Sequence, residues 1–174
     1  RELLQSLLAE YKAKSVYQDR LVGTADAVRR TEGALKDFSG NLLILYGDQP
    51  LLKAETLKKL IQTHISSLAS AAILTARMDN PFGYGRIIRD NYSRIQAIVE
   101  EKDASEEQKR VNEINTGIIC FKKAALFNAI ARIKPDNAKK EYYLTDAIKI
   151  MAAQGLAVES LCLSEDVREA QGIN

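Results

Sequence analysis

The segment that most constrains the fold is the apolar run that ends at a carboxylate, "LLILYGDQPLL" over residues 42–52. A short apolar run after Gly40 is typical of a strand buried on both faces, as in sheets covered by helices on both sides. Asp48 cannot belong to that core, because an unpaired buried charge is too costly. The run therefore predicts a strand that ends at the carboxyl edge of an α/β sheet, where such folds bind ligands.

Elements of alternating type surround this strand. Helical apolar spacing covers residues 1–13, 24–35 and 54–68, while residues 14–18 and 71–77 have strand character. Strands that alternate with helices indicate a parallel sheet with helical crossovers.

The pattern then changes to a mixed arrangement. Residues 85–103 predict two strands around the turn pair Asp90-Asn91, and a further strand covers residues 116–123. Helices are predicted over 123–133 and over 145–155, where Gly155 is the C-cap, and a last strand over 156–163. We expect one domain over residues 1–174, of the α/β class, Rossmann-like, with a mostly parallel but mixed sheet flanked by helices.

Composition excludes several classes of protein. The 174 residues carry a formal net charge of +2 with the basic residues spread out, so no nucleic-acid partner is expected. No apolar run approaches membrane-spanning length, so no membrane partner is expected either. Cys120 and Cys162 lie far apart and predict buried thiols in a reducing, cytoplasmic compartment. His64 is the one histidine and is expected at a partly exposed helix position.

The sequence around Asp48 is compatible with three interpretations of this residue. It can cap the following helix, form a structural Asp turn, or hold a hard cation such as Mg²⁺, which takes few protein carboxylates and completes its shell with water and phosphate oxygens. Gly47 lets the backbone approach a ligand closely, and Pro50 turns the chain away from the strand. The spacing leaves these readings open.

Other short elements are equally ambiguous. Gly23-Thr24 precedes a helix and is either a plain N-cap or a phosphate or nucleobase site. The segment "NPFGYGRI" is either an ordinary loop or a loop whose glycines let its backbone lie close to a bound sugar. Asn115 stands before a strand, and Thr145 or Asp146 can simply cap a helix.

The order of these elements is more specific than any one of them. "GTADA", "LYGDQPLL", "GYGRI", "IVEEKDA", "EINTGI", "EYYLTD" and a closing "GIN" follow one another along the whole chain. In this order the chain resembles the sugar-nucleotide pyrophosphorylases. The closest resemblance is to the uridyltransferase domain of the bacterial bifunctional N-acetylglucosamine-1-phosphate uridyltransferases/glucosamine-1-phosphate acetyltransferases.

The resemblance implies a fold of the nucleotide-diphospho-sugar transferase type and a set of site residues. It implies that Asp48 and Asn174 hold Mg²⁺ and serve as the catalytic pair. It places the nucleotide at Gln18, Gly23, Thr24, Tyr46 and Gly47. It places the sugar at Gly85, Glu100, Asn115, Tyr143 and Thr145.

The implied reaction is nucleotidyl transfer from UTP to N-acetylglucosamine 1-phosphate. The sugar phosphate attacks the α-phosphorus in line, and pyrophosphate leaves. Because the nucleophile is already an anion, no protein base is required, and positioning and cations are expected to lower the barrier.

The chain also departs from the family pattern. The glycine-rich phosphate loop G-x-G-T-R-M is not found, so we expect a fold that lacks the first βα unit or units, an uncovered sheet edge and poor catalysis by this chain alone. Asp26 stands where these enzymes usually carry His. A pyrophosphorylase for another sugar or nucleotide and a non-catalytic sugar-nucleotide-binding fragment stay open as alternatives, as does the oligomeric state.

Overall fold

The computed structural model describes residue 8, residues 10–163 and residues 166–173. The predicted helix over 1–13 falls mostly outside these residues, although Leu8 and Glu10 are helical. The described helices are α1 (Thr24–Arg29), α2 (Ala54–Ser66), α3 (Glu106–Lys109), α4 (Lys123–Ile130) and α5 (Asp146–Ala153), with 3₁₀ turns at Gly33–Leu35 and Val167–Ala170. The strands are β1 (Asn41–Ile44), β2 (Ala71–Arg77), β3 (Arg86–Arg89), β4 (Ile95–Val99), β5 (Glu113–Lys122) and β6 (Val158–Leu163).

These six strands form one mixed sheet in the order β4-β3-β5-β2-β6, with β1 also paired to β5. Strands β1, β2 and β3 each run antiparallel to β5, and β6 runs parallel to β2. The four strands β1, β2, β3 and β6 therefore share one direction, while β4 and β5 oppose it. The predicted α/β class with a mixed sheet flanked by helices is confirmed. The direct pairings are mostly antiparallel because β5 lies between strands of the other direction.

The core divides into two layers because neighbouring strand residues point to opposite faces of the sheet. Ile73 of β2 and Phe121 of β5 pack with α4 and α5 on one face. Leu74 and Ile118 pack with Leu60 of α2 on the other face. The sheet is thus covered by helices on both sides, as the apolar strand patterns predicted.

Strand β1 is less buried than the sequence predicted. Its residues Leu42, Leu43 and Ile44 are only half-buried, and Leu45 and Tyr46 beyond its end are exposed. Among the described strands β1 has one neighbour, β5, so its other edge is unpaired there. The prediction of burial on both faces is therefore wrong for this strand. A strand is shielded from solvent only when it has a second neighbouring strand and a layer packed over its faces.

Other local predictions also need correction. Residues 14–18 form no strand with any described residue, since a strand requires a partner ladder. The helix predicted over 24–35 ends at Arg29 and resumes only as the 3₁₀ turn at Gly33–Leu35. The helix before Gly155 is confirmed, since Gly155 adopts φ +71° and follows the last helical turn.

His64 and Cys162 differ from their predicted exposure. His64 is 1% exposed because it lies two turns after Thr56 and one turn after Leu60 on the buried face of α2. Cys162 is exposed on the outermost strand β6, whereas Cys120 on the central strand β5 is buried as predicted. No helix in the described part of the chain combines the length and apolar character that crossing a membrane requires.

Candidate functional site

The candidate site lies in a gap beside the central strand β5. On one side of β5, β1 pairs with Ile119 to Lys122 and β3 begins opposite Ile114. Residues 115–117 of β5 therefore face a space between the end of β1 and the start of β3. Gly117 has φ +86°, which favours glycine, and it lets the ring of Tyr46 approach the strand, because a Cβ there would lie 2.1 Å from Cε2 of Tyr46.

A cavity of about 390 Å³ occupies this region. Five of the residues expected from the sequence line it, and they come from both the nucleotide and the sugar sets. The lining residues are Thr24, Tyr46, Phe82, Gly83, Glu100, Glu101, Lys102, Lys139, Glu141, Tyr143 and Thr145.

Glu100 is the main carboxylate of this cavity. Thr145, which is 6% exposed, donates from Oγ1 to Glu100 Oε1 at 3.0 Å. A Cβ at Gly85 would lie 3.4 Å from Glu100 Oε2, so the loop at Gly85 closes against the same carboxylate. Burial raises the pKa of Glu100. The result is an oriented carboxylate with acceptor capacity to spare for ligand hydroxyl groups.

Two tyrosines stand around this carboxylate. Burial, together with the charge of Asp103, raises the pKa of Tyr143 to about 12, so its phenol stays protonated and can donate. Burial and the nearby charge of Glu100 also raise the pKa of Tyr46. Both rings therefore supply apolar surface and a neutral hydroxyl group to the cavity.

The nucleotide and sugar sets meet through backbone pairing between residues 22–25 and 142–144. Tyr142 N–H donates to Val22 O at 2.8 Å, and Ala25 N–H donates to Tyr142 O at 2.9 Å. The Thr24 hydroxyl accepts from Leu144 N–H at 3.0 Å. Thr24 is therefore held directly beside Tyr143 and Thr145, although 120 residues separate Thr24 from Leu144 along the chain.

Asp48 lies in a second cavity of about 400 Å³ that shares Tyr46, Phe82 and Gly83 with the first. Its carboxylate makes no hydrogen bond or ion pair with the described residues, and α2 is capped at Lys53, not at Asp48. The helix-cap reading of Asp48 is therefore wrong. Gly47 occupies the exposed turn beside it, and a Cβ added there would meet nothing within 4 Å.

The C-terminal segment passes directly over Asp48. Ile173 N–H donates to Asp48 O at 2.8 Å, and a Cβ at Gly172 would lie 2.9 Å from Asp48 Oδ2. Asn174, the expected partner of Asp48, lies outside the described residues. The described chain nevertheless brings the residue before Asn174 into direct contact with Asp48.

Two residues that the sequence reasoning missed hold this segment in place. Gln49 donates from Nε2 to Thr116 O at 2.7 Å and to Ala170 O at 3.0 Å, and it thus links the end of β1, strand β5 and the C-terminal segment. The buried Glu169 accepts from Thr56 Oγ1 at 2.6 Å. Gln49 stands beside Asp48 in "GDQP", but the sequence contains no signal for partners 67 and 121 residues away.

The loop "NPFGYGRI" contributes Phe82 and Gly83 to both cavities. Its shape depends on Glu101, which accepts from Gly83 N–H at 3.2 Å and from Arg86 Nη2 at 2.6 Å. The buried Arg86 also donates to Tyr84 O. The two glycines were the only sequence signal for this loop, and Arg86 and Glu101 were not expected.

Gln18 and Asn115 are not among the lining residues of either cavity. Gln18 donates from Nε2 to Gly23 O at 3.2 Å, beside Thr24. Asn115, 9% exposed, receives Gly117 N–H on Oδ1 at 3.0 Å, and its own N–H donates to Gly85 O at 2.8 Å. Gly23 packs so tightly on Tyr142 that a Cβ would lie 2.3 Å from Tyr142 O.

Comparison with known proteins identifies the family to which the chain belongs. Residues 2–166 match the family described as "Nucleotidyl transferase". Proteins named "Bifunctional protein GlmU" from Syntrophotalea carbinolica and Enterococcus faecalis are each 46% identical over 173 residues, which is 99% of this chain and 37% of theirs. The chain thus spans little more than a third of the length of these relatives.

A solved structure shares the fold. The structure titled "The Crystal Structure of UDP-glucose pyrophosphorylase complexed with UDP-glucose" superposes with a TM-score of 0.70. The match covers 92% of this chain and 64% of that chain at 15% sequence identity. At that identity the likeness concerns the fold alone.

Proposed function

Since the chain belongs to the nucleotidyl transferase family, we propose that its cleft serves uridylyl transfer from UTP to N-acetylglucosamine 1-phosphate, with UDP-N-acetylglucosamine and pyrophosphate as products. One observation carries the proposal. The carboxylate of Asp48, which has no partner among the described residues, and the oriented carboxylate of Glu100 occupy adjoining cavities that share Tyr46. A cytoplasmic location and a role in supplying cell-wall and lipopolysaccharide precursors belong to the same proposal.

The first cavity suits the sugar. A sugar presents several hydroxyl groups, which bind best to a set of oriented acceptors and donors. Glu100 supplies acceptor oxygens, and the protonated Tyr143 hydroxyl can act as donor or acceptor. Gly85 lies against Glu100, and Asn115 is joined to Gly85 by a backbone hydrogen bond.

The second cavity suits a hard cation. Asp48 presents carboxylate oxygens without a partner among the described residues, and oxygen is the donor that Mg²⁺ prefers. The described part of the chain contains no group of three or more acidic, His or Cys side chains arranged to hold a metal ion, so Asp48 and Asn174 would hold the ion with water and phosphate oxygens completing its shell. When bound, Mg²⁺ supplies positive charge to the reacting phosphates.

The reaction needs positioning more than proton transfer. An oxygen of the sugar phosphate bonds to the α-phosphorus of UTP while the bond from that phosphorus to the bridging oxygen of pyrophosphate breaks. The nucleophile is already an anion, so no base is required. His64, the one histidine of the chain, is buried in α2 and takes no part. The chain would hold the sugar at Glu100 and the cation at Asp48, so that the attacking oxygen and the leaving pyrophosphate are in line at the α-phosphorus.

Calorimetry with UDP-N-acetylglucosamine in the presence and absence of Mg²⁺ tests the proposal. We expect Mg²⁺-dependent binding by the 174-residue chain and a loss of at least about tenfold in affinity for Asp48→Ala. Asp37→Ala is the matched control, because Asp37 is an exposed aspartate that precedes β1 and lies at the opposite end of that strand.

The outcomes separate the alternatives. Unchanged Mg²⁺-dependent affinity in Asp48→Ala removes Asp48 from the metal site. Tighter binding of UDP-glucose than of UDP-N-acetylglucosamine assigns the site to another sugar. Absence of binding to both sugar nucleotides rejects the proposed function.

A further inference from the structure

A buried carboxylate beside the nucleotide residues has no part in the reaction described above. Asp26, in the first turn of α1, is 1% exposed. It accepts from Gln18 Nε2 at 3.0 Å on Oδ2, from Arg29 on Oδ1 and from Arg30 Nε at 3.3 Å on Oδ2. Burial acts to raise the pKa of Asp26, but the hydrogen bonds from Gln18 and Arg29 and the charge of Arg30 hold it below its ordinary value. Asp26 is therefore ionised near neutral pH and can only accept hydrogen bonds.

This contact determines which end of the Gln18 amide faces the protein. The same Nε2 atom approaches two groups, Asp26 Oδ2 and the carbonyl oxygen of Gly23 at 3.2 Å. Both groups are acceptors without a hydrogen to donate, so an amide oxygen at this position would be repelled by both. The NH₂ end must lie there, and its two hydrogens are both used.

The other end of the amide is left for a ligand. No described residue donates to Gln18 Oε1, and this oxygen is not among the buried atoms without a partner, so it is open to solvent. The side chain of Gln18 thus presents only a hydrogen-bond acceptor, Oε1, to a ligand that binds near Gly23 and Thr24. A Gln without Asp26 could rotate its amide and present either end, because its two faces are similar in shape.

We propose that Asp26 is a positioning residue that fixes the Gln18 amide as a hydrogen-bond acceptor, so that the site selects uracil over cytosine. The inference rests on the proposed function and names how that site chooses its base. Uracil carries an N–H group at N3, which can donate to Gln18 Oε1. Cytosine carries an unprotonated N3, so the two acceptors would face each other and both would lose water without a partner.

The first test needs no ligand. In the NMR spectrum, the two side-chain N–H signals of Gln18 are expected to show an ordered amide in the wild-type chain and a mobile one in Asp26→Ala. Arg30→Gln is the matched control, because it removes one ion pair of Asp26 and leaves both acceptors of Gln18 in place. Equal Gln18 mobility in the wild type and Asp26→Ala overturns the positioning role.

The second test measures base selection by titration with UTP and with CTP in the presence of Mg²⁺. We expect the wild type to bind UTP at least about tenfold more tightly than CTP. Asp26→Ala is expected to reduce this ratio to about threefold or less, whereas Asp26→Asn, which keeps an acceptor oxygen, and Arg30→Gln are expected to retain it. Asp26→Leu, which has the branching of Asp but carries methyl groups in place of the acceptor oxygens, replaces Asp26→Ala if that variant fails to fold.

The outcomes distinguish this inference from the function it rests on. A wild-type ratio that survives in a folded Asp26→Ala or Asp26→Leu protein overturns the role of Asp26. Equal binding of UTP and CTP by the wild type overturns base selection by Gln18 and leaves the proposed sugar-nucleotide site intact. Absence of binding to either nucleotide overturns the proposed function and this inference together.

Discussion

Replacement of Gly23 by Ala tests how the two halves of the cleft are joined. Gly23 has φ +121°, a backbone conformation that residues with a Cβ rarely adopt, and a Cβ there would lie 2.3 Å from Tyr142 O and 2.6 Å from Tyr142 N. The obstacle is backbone, so no side chain can rotate away. We expect Gly23→Ala to push residues 22–25 away from residues 142–144.

The size of the effect follows from what that displacement breaks. Backbone strain at such a position costs of order 1 to 3 kcal/mol. Three hydrogen bonds between the two segments are at risk, from Ala25, Tyr142 and Leu144 N–H groups, each contributing about 0.5 to 1.5 kcal/mol. We expect a loss of roughly 3 to 6 kcal/mol in the free energy of unfolding, a large share of the roughly 5 to 15 kcal/mol typical of a domain.

Urea unfolding followed by circular dichroism measures this loss, and a thermal scan should show a melting temperature lower by roughly 6 to 24 °C. Gly33→Ala is the matched control, because a Cβ at Gly33 meets nothing within 4 Å and its φ is ordinary. We expect the control to change the free energy of unfolding by less than about 1 kcal/mol. If Gly23→Ala proves as stable as Gly33→Ala, the close approach at Tyr142 does not constrain the cleft.

Two further predictions concern buried ionisable groups. Glu169→Gln is expected to lower the free energy of unfolding near neutral pH by about 1.5 to 3 kcal/mol, because ionised Glu169 accepts from buried Thr56 at 2.6 Å. Burial acts to raise the pKa of Glu169, but hydrogen bonds from Thr56 and Lys53 lower it below 4.5, so the deficit should shrink as the pH falls below that value, and a pH-independent deficit in urea titrations contradicts this. Burial and the charge of Lys122 lower the pKa of His64 below 6.5, so the unfolded chain takes up a proton there before the folded one does. Wild-type stability should therefore decline as the pH falls below 6.5, and in His64→Leu that part of the decline should vanish; parallel pH profiles for the two proteins would disprove the role of His64.

The fold was largely predictable because its signals are local. The mainly apolar pattern of β2, the turn pair Asp90-Asn91 and the C-cap Gly155 each act through neighbouring residues, and each appears in the structure as expected. The burial of β1 was not predictable in the same way. An apolar run shows that a strand is suited to burial, but its neighbours in the sheet decide whether it is buried.

The sequence identified five residues that the structure brings together, Thr24, Tyr46, Glu100, Tyr143 and Thr145, which line one cavity, while their roles in binding stay predictions. It did not identify the residues that support them. The residues that hold them, such as Gln49 and Arg86, act through partners far away in the chain or through buried charge, and no spacing rule identifies such pairs.

The sequence by itself determined the class of elements, the carboxylate after β1 and the motif order that indicates a nucleotidyl transferase, because each depends on residues that are near one another in the chain. Only the tertiary structure decided that Gly172 and Ile173 lie over Asp48 and that Asp26 faces the amide of Gln18. It also decided that His64 is buried. These facts depend on the packing of the sheet, its helices and the connecting loops, where solvent is excluded and hydrogen-bond partners are fixed by geometry and not by sequence separation.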